Sequence, residues 1–266
     1  MKLFDRLRDA LKKSPRQPAV PEPAAKATLQ EPREAIRQAG HRHLDRHWQA
    51  VGNLEPDVIA YLISPGLTGG PAWPSTRQAY RVVRRGESVL LASDGLSDPF
   101  DDVEGGGNGF EMELFIETAD LAAPFRGRAG EVDPLKGSWA FELLEHVAGT
   151  VADAGGISAQ LEQYGALSLE LPGVSQSRAI GEQLPGHFVT EDDCIGVLLG
   201  GVDPDFPTRL DDMPLSPVTL VPVVLITAAE LEYIRAGGGQ ARNELVTRLQ
   251  ALGWQALTRL PREAVV

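Results

Sequence analysis

Residues 218–226 (VTLVPVVLI) constrain the fold more than any other segment of the chain. Both alternating faces of this run are apolar, which is typical of a central strand that is covered on two sides. Pro222 lacks a backbone N–H, so we also expect a bulge or a sheet edge at that position. Thr227 and Glu230 follow with the spacing of a capping box, which predicts that a helix begins at residue 228. The chain therefore needs a sheet with layers packed on both of its faces.

Other segments supply the rest of that sheet and its covering helices. Residues 80–83 and 88–91 flank Gly86 and predict a hairpin. Residues 110–117 alternate apolar and mostly acidic side chains, which predicts a strand with one core face and one solvent face. Without strict alternation of strands and helices, the pattern predicts an α+β fold: a mixed sheet flanked by helices, in a single globular domain. The remaining predicted strands are 58–63, 166–171 and 194–199, and the predicted helices are 33–51, 139–153 (capped by Ser138), 228–236 and 241–252.

The beginning of the chain differs from this domain in composition. Residues 1–13 have the spacing of a short amphipathic helix, an N-terminal helical arm. Residues 14–32 contain five prolines in nineteen positions, which predicts a semi-extended linker to a domain over residues 33–266. The N-terminus lacks the apolar core of a secretory signal, and no run of about 20 apolar residues predicts a membrane span. With Cys194 as its one cysteine, the chain is expected in the cytoplasm.

Charge is distributed very unevenly along the chain. Residues 1–50 carry 11 basic and 6 acidic side chains, whereas residues 51–266 carry 14 basic and 31 acidic ones, a net charge of −17. Such a body repels nucleic acid, whose binding requires lysine and arginine on the phosphates. It favours encounter with basic protein partners. The alternative is that these charges serve only solubility, and the oligomeric state is left open.

Acidic side chains concentrate in two adjoining segments. The loop 94–104 places four carboxylates between Asp98 and Glu104, and the strand 110–117 follows it. We expect the loop and the glutamate face of the strand to be contact surfaces for a basic partner. The competing interpretation is that aspartate and glycine simply form turns here. The candidate binding residues are Asp94, Asp98, Asp101, Asp102, Glu111 and Glu113.

No other motif gives a catalytic constellation. His43 and His47 share a helix face but lack the glutamate and third ligand of a zinc site, which favours a solvated basic helix. Cys194 follows two aspartates, which favours a buried structural thiol over a reactive one. The glycine run 105–109 leads into a strand rather than a helix, unlike a phosphate-binding loop. We therefore expect a protein that is not an enzyme and binds no cofactor or metal; the alternative is a metal-assisted hydrolase using the loop 94–104.

Three ordered segments resemble the suppressor-of-fused domain in its bacterial single-domain form. They are residues 91–100, with the turn Gly95-Leu96-Ser97, residues 109–116 and residues 220–231. The resemblance covers about residues 55–252 and omits the N-terminal arm and linker. The glutamate typical of the family aligns with either Glu111 or Glu113; Glu113 is preferred because Leu114 follows it.

The resemblance implies a protein-binding domain rather than an enzyme. Single-domain bacterial members of the family are regarded as immunity proteins that neutralise toxins by stoichiometric binding. Since many nuclease toxins are basic, the acidic body suggests a basic toxin as the partner.

Overall fold

A mixed sheet with helices on both faces forms the centre of the fold, as the sequence predicts. The structure, a computed structural model, describes residues 24–101 and 106–266. The chain divides into two units, Met1–Ala35 and Ile36–Val266, and all described strands belong to the second. Over the described residues the strands are β1 Asn53–Leu54, β2 Ile59–Ala60, β3 Ala79–Arg85, β4 Ser88–Asp94, β5 Met112–Thr118, β6 Ala166–Pro172, β7 Cys194–Gly200, β8 Arg209–Leu210, β9 Val218–Ile226 and β10 Leu257–Thr258.

Five of the six α-helices in the described part of the chain lie wholly in the second unit. The longest, at the start of the described chain, runs from the first unit into the second. The helices are α1 Ala24–Val51, α2 Ala123–Arg126, α3 Trp139–Asp153, α4 Ser158–Tyr164, α5 Ala179–Gln183 and α6 Ala228–Ala251. In the same described residues, no helix combines the length and the apolar character that crossing a membrane requires.

The sheet has the strand order β1-β3-β4-β5-β9-β7-β6. Strand β9 is parallel to β5 and antiparallel to β7, and β10 runs parallel to the end of β5. The short strands β2 and β8 lie beside β3 and β9. The sheet is therefore mixed, and the predicted α+β class is confirmed.

Each face of the sheet buries an apolar layer. Trp139, Leu143 and Val147 of α3 join one cluster with alternate residues of the strands, such as Leu114. On the opposite face, Trp48 of α1 packs in a second cluster with Phe115. The helix α6 covers β7 and β9 in a third cluster. Strand β5 is thus buried on both faces, and the prediction that residues 110–117 have a solvent face is wrong.

Local sequence signals position the helices as predicted. Ser138 Oγ accepts a hydrogen bond from the backbone N–H of Phe141 (3.2 Å) and begins α3. Thr227 and Glu230 form the reciprocal capping box of α6. The two helices predicted over 228–236 and 241–252 are found as the two parts of α6, separated by a kink at Gly238, where φ is 60°.

Two predictions near the N-terminus need correction. The helix predicted over 33–51 begins at Ala24, so the end of the predicted linker is helical. Four of the five linker prolines precede Ala24, and residues 24–31 contain helix formers such as alanine, leucine and glutamate. The strand predicted over 58–63 is reduced to β2, which pairs only with the first two residues of β3. The predicted helix 1–13 and the first part of the linker lie outside the described residues.

Pro222 lies where β9 changes its neighbours. Residues 219–222 pair with β5, and residues 223–226 pair with β7. The N–H of Leu220 donates to Thr208 O (2.7 Å), on the side of β9 away from β5. Backbone N–H groups two residues apart in a strand point to the same side, so the nitrogen of Pro222 also faces that side, between β8 and β7. The missing N–H of Pro222 therefore costs no ladder bond, because the strand has no paired neighbour on that side at position 222.

Candidate functional site

Glu113 of β5 holds the turn that follows β4. Its side chain is 0 % exposed and accepts hydrogen bonds from the Ser93 hydroxyl, the N–H of Gly95 (3.0 Å), and the N–H and hydroxyl of Ser97 (2.9 and 2.7 Å). Gly95 has a φ of 143°, and a Cβ there would lie 2.6 Å from Arg77 O. The turn therefore wraps a buried carboxylate, and glycine is required at its centre.

Asp94, at the end of β4, is also fully buried. The Arg77 guanidinium donates to its carboxylate and to its backbone oxygen (2.8 Å). Arg81 Nε lies 3.1 Å from Asp94 Oδ2 as an ion pair, without the geometry of a hydrogen bond. Arg81 also donates to Asp45 of α1, so this charge connects the helix to the sheet.

Asp98 lies in the same turn and makes a second connection to α1. Its side chain is 4 % exposed. Its carboxylate accepts a hydrogen bond from the Ser75 hydroxyl (2.8 Å), and its Oδ1 lies 3.0 Å from His41 Nε2. We call Glu113, Asp94, Asp98 and their partners Arg77, Arg81 and His41 the turn cluster.

Within the turn cluster, the pKa of Glu113 and the pKa of Asp94 are shifted in opposite directions. Burial raises the pKa of Glu113, and the charge of Asp94 adds to that effect beyond what its hydrogen bonds counteract. Burial acts in the same sense on Asp94, but the hydrogen bond from Arg77 and the charges of Arg81 and Arg77 outweigh it and lower the pKa of Asp94. Asp94 is therefore held as an anion between cations.

The six candidate residues do not form one contact surface. Asp94, Asp98 and Glu113 are buried, so the prediction that they contact a partner is wrong for these three. The reason is that arginine, histidine and serine side chains from other elements surround them. Asp101 accepts a hydrogen bond from Thr76 N–H (3.0 Å) at an exposed position, and Glu111 is exposed. Asp102 lies outside the described residues.

The described residues of the two metal-site alternatives provide no ligand set. In residues 24–101 and 106–266, no group of three or more histidine, cysteine, aspartate and glutamate side chains is placed to hold a metal ion. His43 contacts Asp212 (3.2 Å), whereas the His47 ring packs edge-on against Trp48 and Phe206. Burial lowers the pKa of His47, so the predicted solvated basic helix is wrong at this position. Cys194 is buried, as predicted.

An exposed apolar loop follows β2 at the end of the sheet. Its first residues belong to the segment 58–63, which the sequence predicts to be a strand. Leu62 is fully exposed, and Ile63 and Leu67 are 64 % and 70 % exposed. The loop is ordered by its own backbone: the N–H of Gly70 donates to Pro65 O (2.8 Å), and that of Leu67 to Ser64 O (3.0 Å). We call residues 61–67 the apolar loop. Four of the eight large exposed apolar side chains in the described residues lie between Val58 and Leu67, so exposed apolar side chains are concentrated in this segment.

Two clefts adjoin the apolar loop. One, of about 430 Å³, lies between the loop and α3, with Tyr61, Trp73 and Tyr80 among its lining residues. The other, of about 380 Å³, is lined by Leu67, Trp73 and Phe100. Trp73 is shared by both clefts. Sequence reasoning missed this surface, although Pro65 and Gly66 signal that a strand cannot continue past residue 64.

Comparison with known proteins returned no match. No family model, no curated protein and no solved structure matches the chain. The resemblance to suppressor-of-fused domains therefore stays a prediction.

Proposed function

We propose that this chain is a non-enzymatic domain that binds a partner protein stoichiometrically through the apolar loop. The observation that carries the proposal is the exposure of Leu62, Ile63 and Leu67 on an ordered segment beside two clefts. Clustered large apolar side chains on a soluble surface are typical of protein interaction sites. Their burial by a partner contributes favourable free energy because it removes apolar area from water.

Charge defines the chemistry of the partner. The net charge of −17 over residues 51–266 favours a basic protein, and it disfavours nucleic acid. A basic toxin fits this description, and neutralisation by occlusion needs no catalytic group. The chain then acts as an immunity protein of the suppressor-of-fused type in the cytoplasm, where the buried Cys194 stays reduced.

The turn cluster supports a binding role over catalysis. The carboxylates of Glu113 and Asp98 each accept hydrogen bonds from neighbouring groups, and the Asp94 carboxylate is held by Arg77 and Arg81. A general acid or base needs access to substrate within hydrogen-bond reach. Among the described residues of the cluster, the carboxylates are committed to holding the turn and α1 in place.

Site-specific photo-crosslinking tests this proposal. A photoreactive residue at position 67, introduced into the full chain in the cells that make it, is expected to capture one basic protein. The matched control is the same residue at position 252, because Leu252, which directly follows α6, is 40 % exposed and lines neither cleft beside the loop. The purified pair is then expected to form a complex of defined stoichiometry. Equal capture at both positions, or no complex from the purified pair, contradicts the proposal.

A further inference from the structure

The cleft between the apolar loop and α3 combines aromatic walls with carboxylates. Trp73 and Tyr80 meet edge to face, with ring centroids 5.7 Å apart. Tyr61 adds a third aromatic side chain, and Glu145 and Asp153 of α3 add two acidic ones. We call this site the aromatic cleft. None of its lining residues within the described chain is a lysine or an arginine.

Two polar groups of the aromatic cleft are incompletely compensated. The Tyr61 hydroxyl is buried and makes no hydrogen bond to the described part of the chain. Glu145 is partly buried, and among the described residues only the neighbouring His146 acts on its charge. Burial raises the pKa of Glu145 more than His146 lowers it. Burial removes water from this carboxylate and so disfavours its charged form. A cation bound beside it would favour the charged form again.

We propose that the aromatic cleft binds the side chain of a lysine or arginine from the basic partner. Its aliphatic stem packs along the aromatic rings, and its charged group lies between the rings and the carboxylate of Glu145. Asp153, about two helical turns further along α3, adds negative potential to the cleft. Aromatic rings attract cations, and long basic side chains carry apolar stems that suit such a cleft. The inference deepens the proposed function, on which it rests, by naming the anchor that enters beside the apolar loop.

Titration of the full chain with a single blocked amino acid tests the cleft without the partner. The probe is N-acetyl-arginine methylamide, followed by the NMR signal of the Trp73 indole N–H, which the Trp73→Phe variant assigns. We expect a saturable shift with arginine. The citrulline analogue, which has the same shape and no charge, is expected to give none. An equal response to citrulline or to N-acetyl-leucine methylamide overturns the proposal, and so does no response to arginine.

A matched pair of charge variants locates the site. We expect Glu145→Gln to weaken arginine binding about fivefold or more, in line with the strength of partly desolvated cation contacts. Glu162→Gln removes the same charge from an exposed position outside the cleft and is expected to leave the affinity unchanged. Equal effects of the two variants contradict the proposal. Crosslinking at position 67 is measured separately. If arginine does not bind the cleft but crosslinking at position 67 succeeds, the cleft proposal is wrong and the proposed function is not contradicted.

Discussion

The turn cluster and the apolar loop invert the usual distribution of polarity. Asp94 and Glu113 are fully buried, whereas Leu62 is fully exposed. Residues 73–75 connect the two regions. Trp73 lines the clefts beside the loop, and the Ser75 hydroxyl donates a hydrogen bond to Asp98. Buried charge therefore holds the turn in place, whereas the exposed apolar loop is the binding surface that we propose.

The difference follows from how each region is partnered. A buried charge is tolerated when hydrogen bonds and counter-charges compensate it, and removing one partner leaves the others uncompensated. An exposed leucine has no such partners in the free chain, so its loss changes little there. The two regions are thus expected to respond oppositely to mutation, in stability and in binding.

The largest expected effect comes from the centre of the turn cluster. Glu113→Ala leaves four donated hydrogen bonds without an acceptor, and we expect the free energy of unfolding to fall by about 4 kcal/mol. The control, Glu111→Ala, changes an exposed glutamate two residues away and should cost about 0.5 kcal/mol or less. Denaturant unfolding measures both; similar losses would contradict the assignment.

A second pair compares two aspartates of the acidic loop. Asp98→Lys places a cation against His41 in a buried position, and we expect a loss of about 3 kcal/mol. Asp101→Lys, at an exposed position, should cost about 0.5 kcal/mol. A contact surface, as the sequence predicts for this loop, would tolerate charge reversal, whereas the burial of Asp98 makes the reversal costly. A stable Asp98→Lys variant would restore the prediction of a contact surface.

The pH dependence of stability tests the ion pairs of Asp94. Because its pKa is lowered in the folded state, Asp94 contributes stability above the ordinary aspartate pKa of about 4, and loses it as pH falls through the folded value. The difference in unfolding free energy between the natural chain and Asp94→Asn should therefore be constant at neutral pH and shrink in acid. A difference that grows as pH falls would mean that Asp94 is not held as an anion.

Sequence reasoning predicted the fold better than the site. The elements of the fold are signalled by residues that are neighbours in sequence, whereas the site depends on contacts between residues far apart in sequence. The capping box of Thr227 and Glu230 is local, and so is the hairpin turn at Gly86. The partners of Asp94 and Asp98 are not: His41 lies on α1, 57 residues before Asp98. A buried aspartate whose arginine or histidine partners are remote in sequence has the same neighbouring residues as an exposed aspartate, so the sequence alone does not distinguish the two.

The apolar loop was missed for a related reason. Residues 58–63 have the composition of a strand, but only Ile59 and Ala60 find a partner in β3. Strand pairing depends on the length of the neighbouring edge, which local composition does not encode. Leu62 and Ile63 consequently extend past the sheet into solvent.

The smallest expected effect on stability comes from the apolar loop. The double variant Leu62→Ser with Leu67→Ser removes two exposed side chains, and we expect the free energy of unfolding to change by about 0.5 kcal/mol or less. Thermal and denaturant unfolding check this. A loss of several kcal/mol would show that the loop supports the core.

The affinity of the same double variant for the crosslinked partner tests the central claim most directly. Calorimetric titration of the purified partner into the natural chain, the double variant and Leu252→Ser compares the loop with a matched exposed leucine that follows α6. We expect the double variant to bind at least about tenfold more weakly, since interface anchors cost more than about 1 kcal/mol each when truncated. Leu252→Ser should bind as the natural chain does. Unchanged affinity of the double variant would contradict the assignment of the apolar loop as the binding surface.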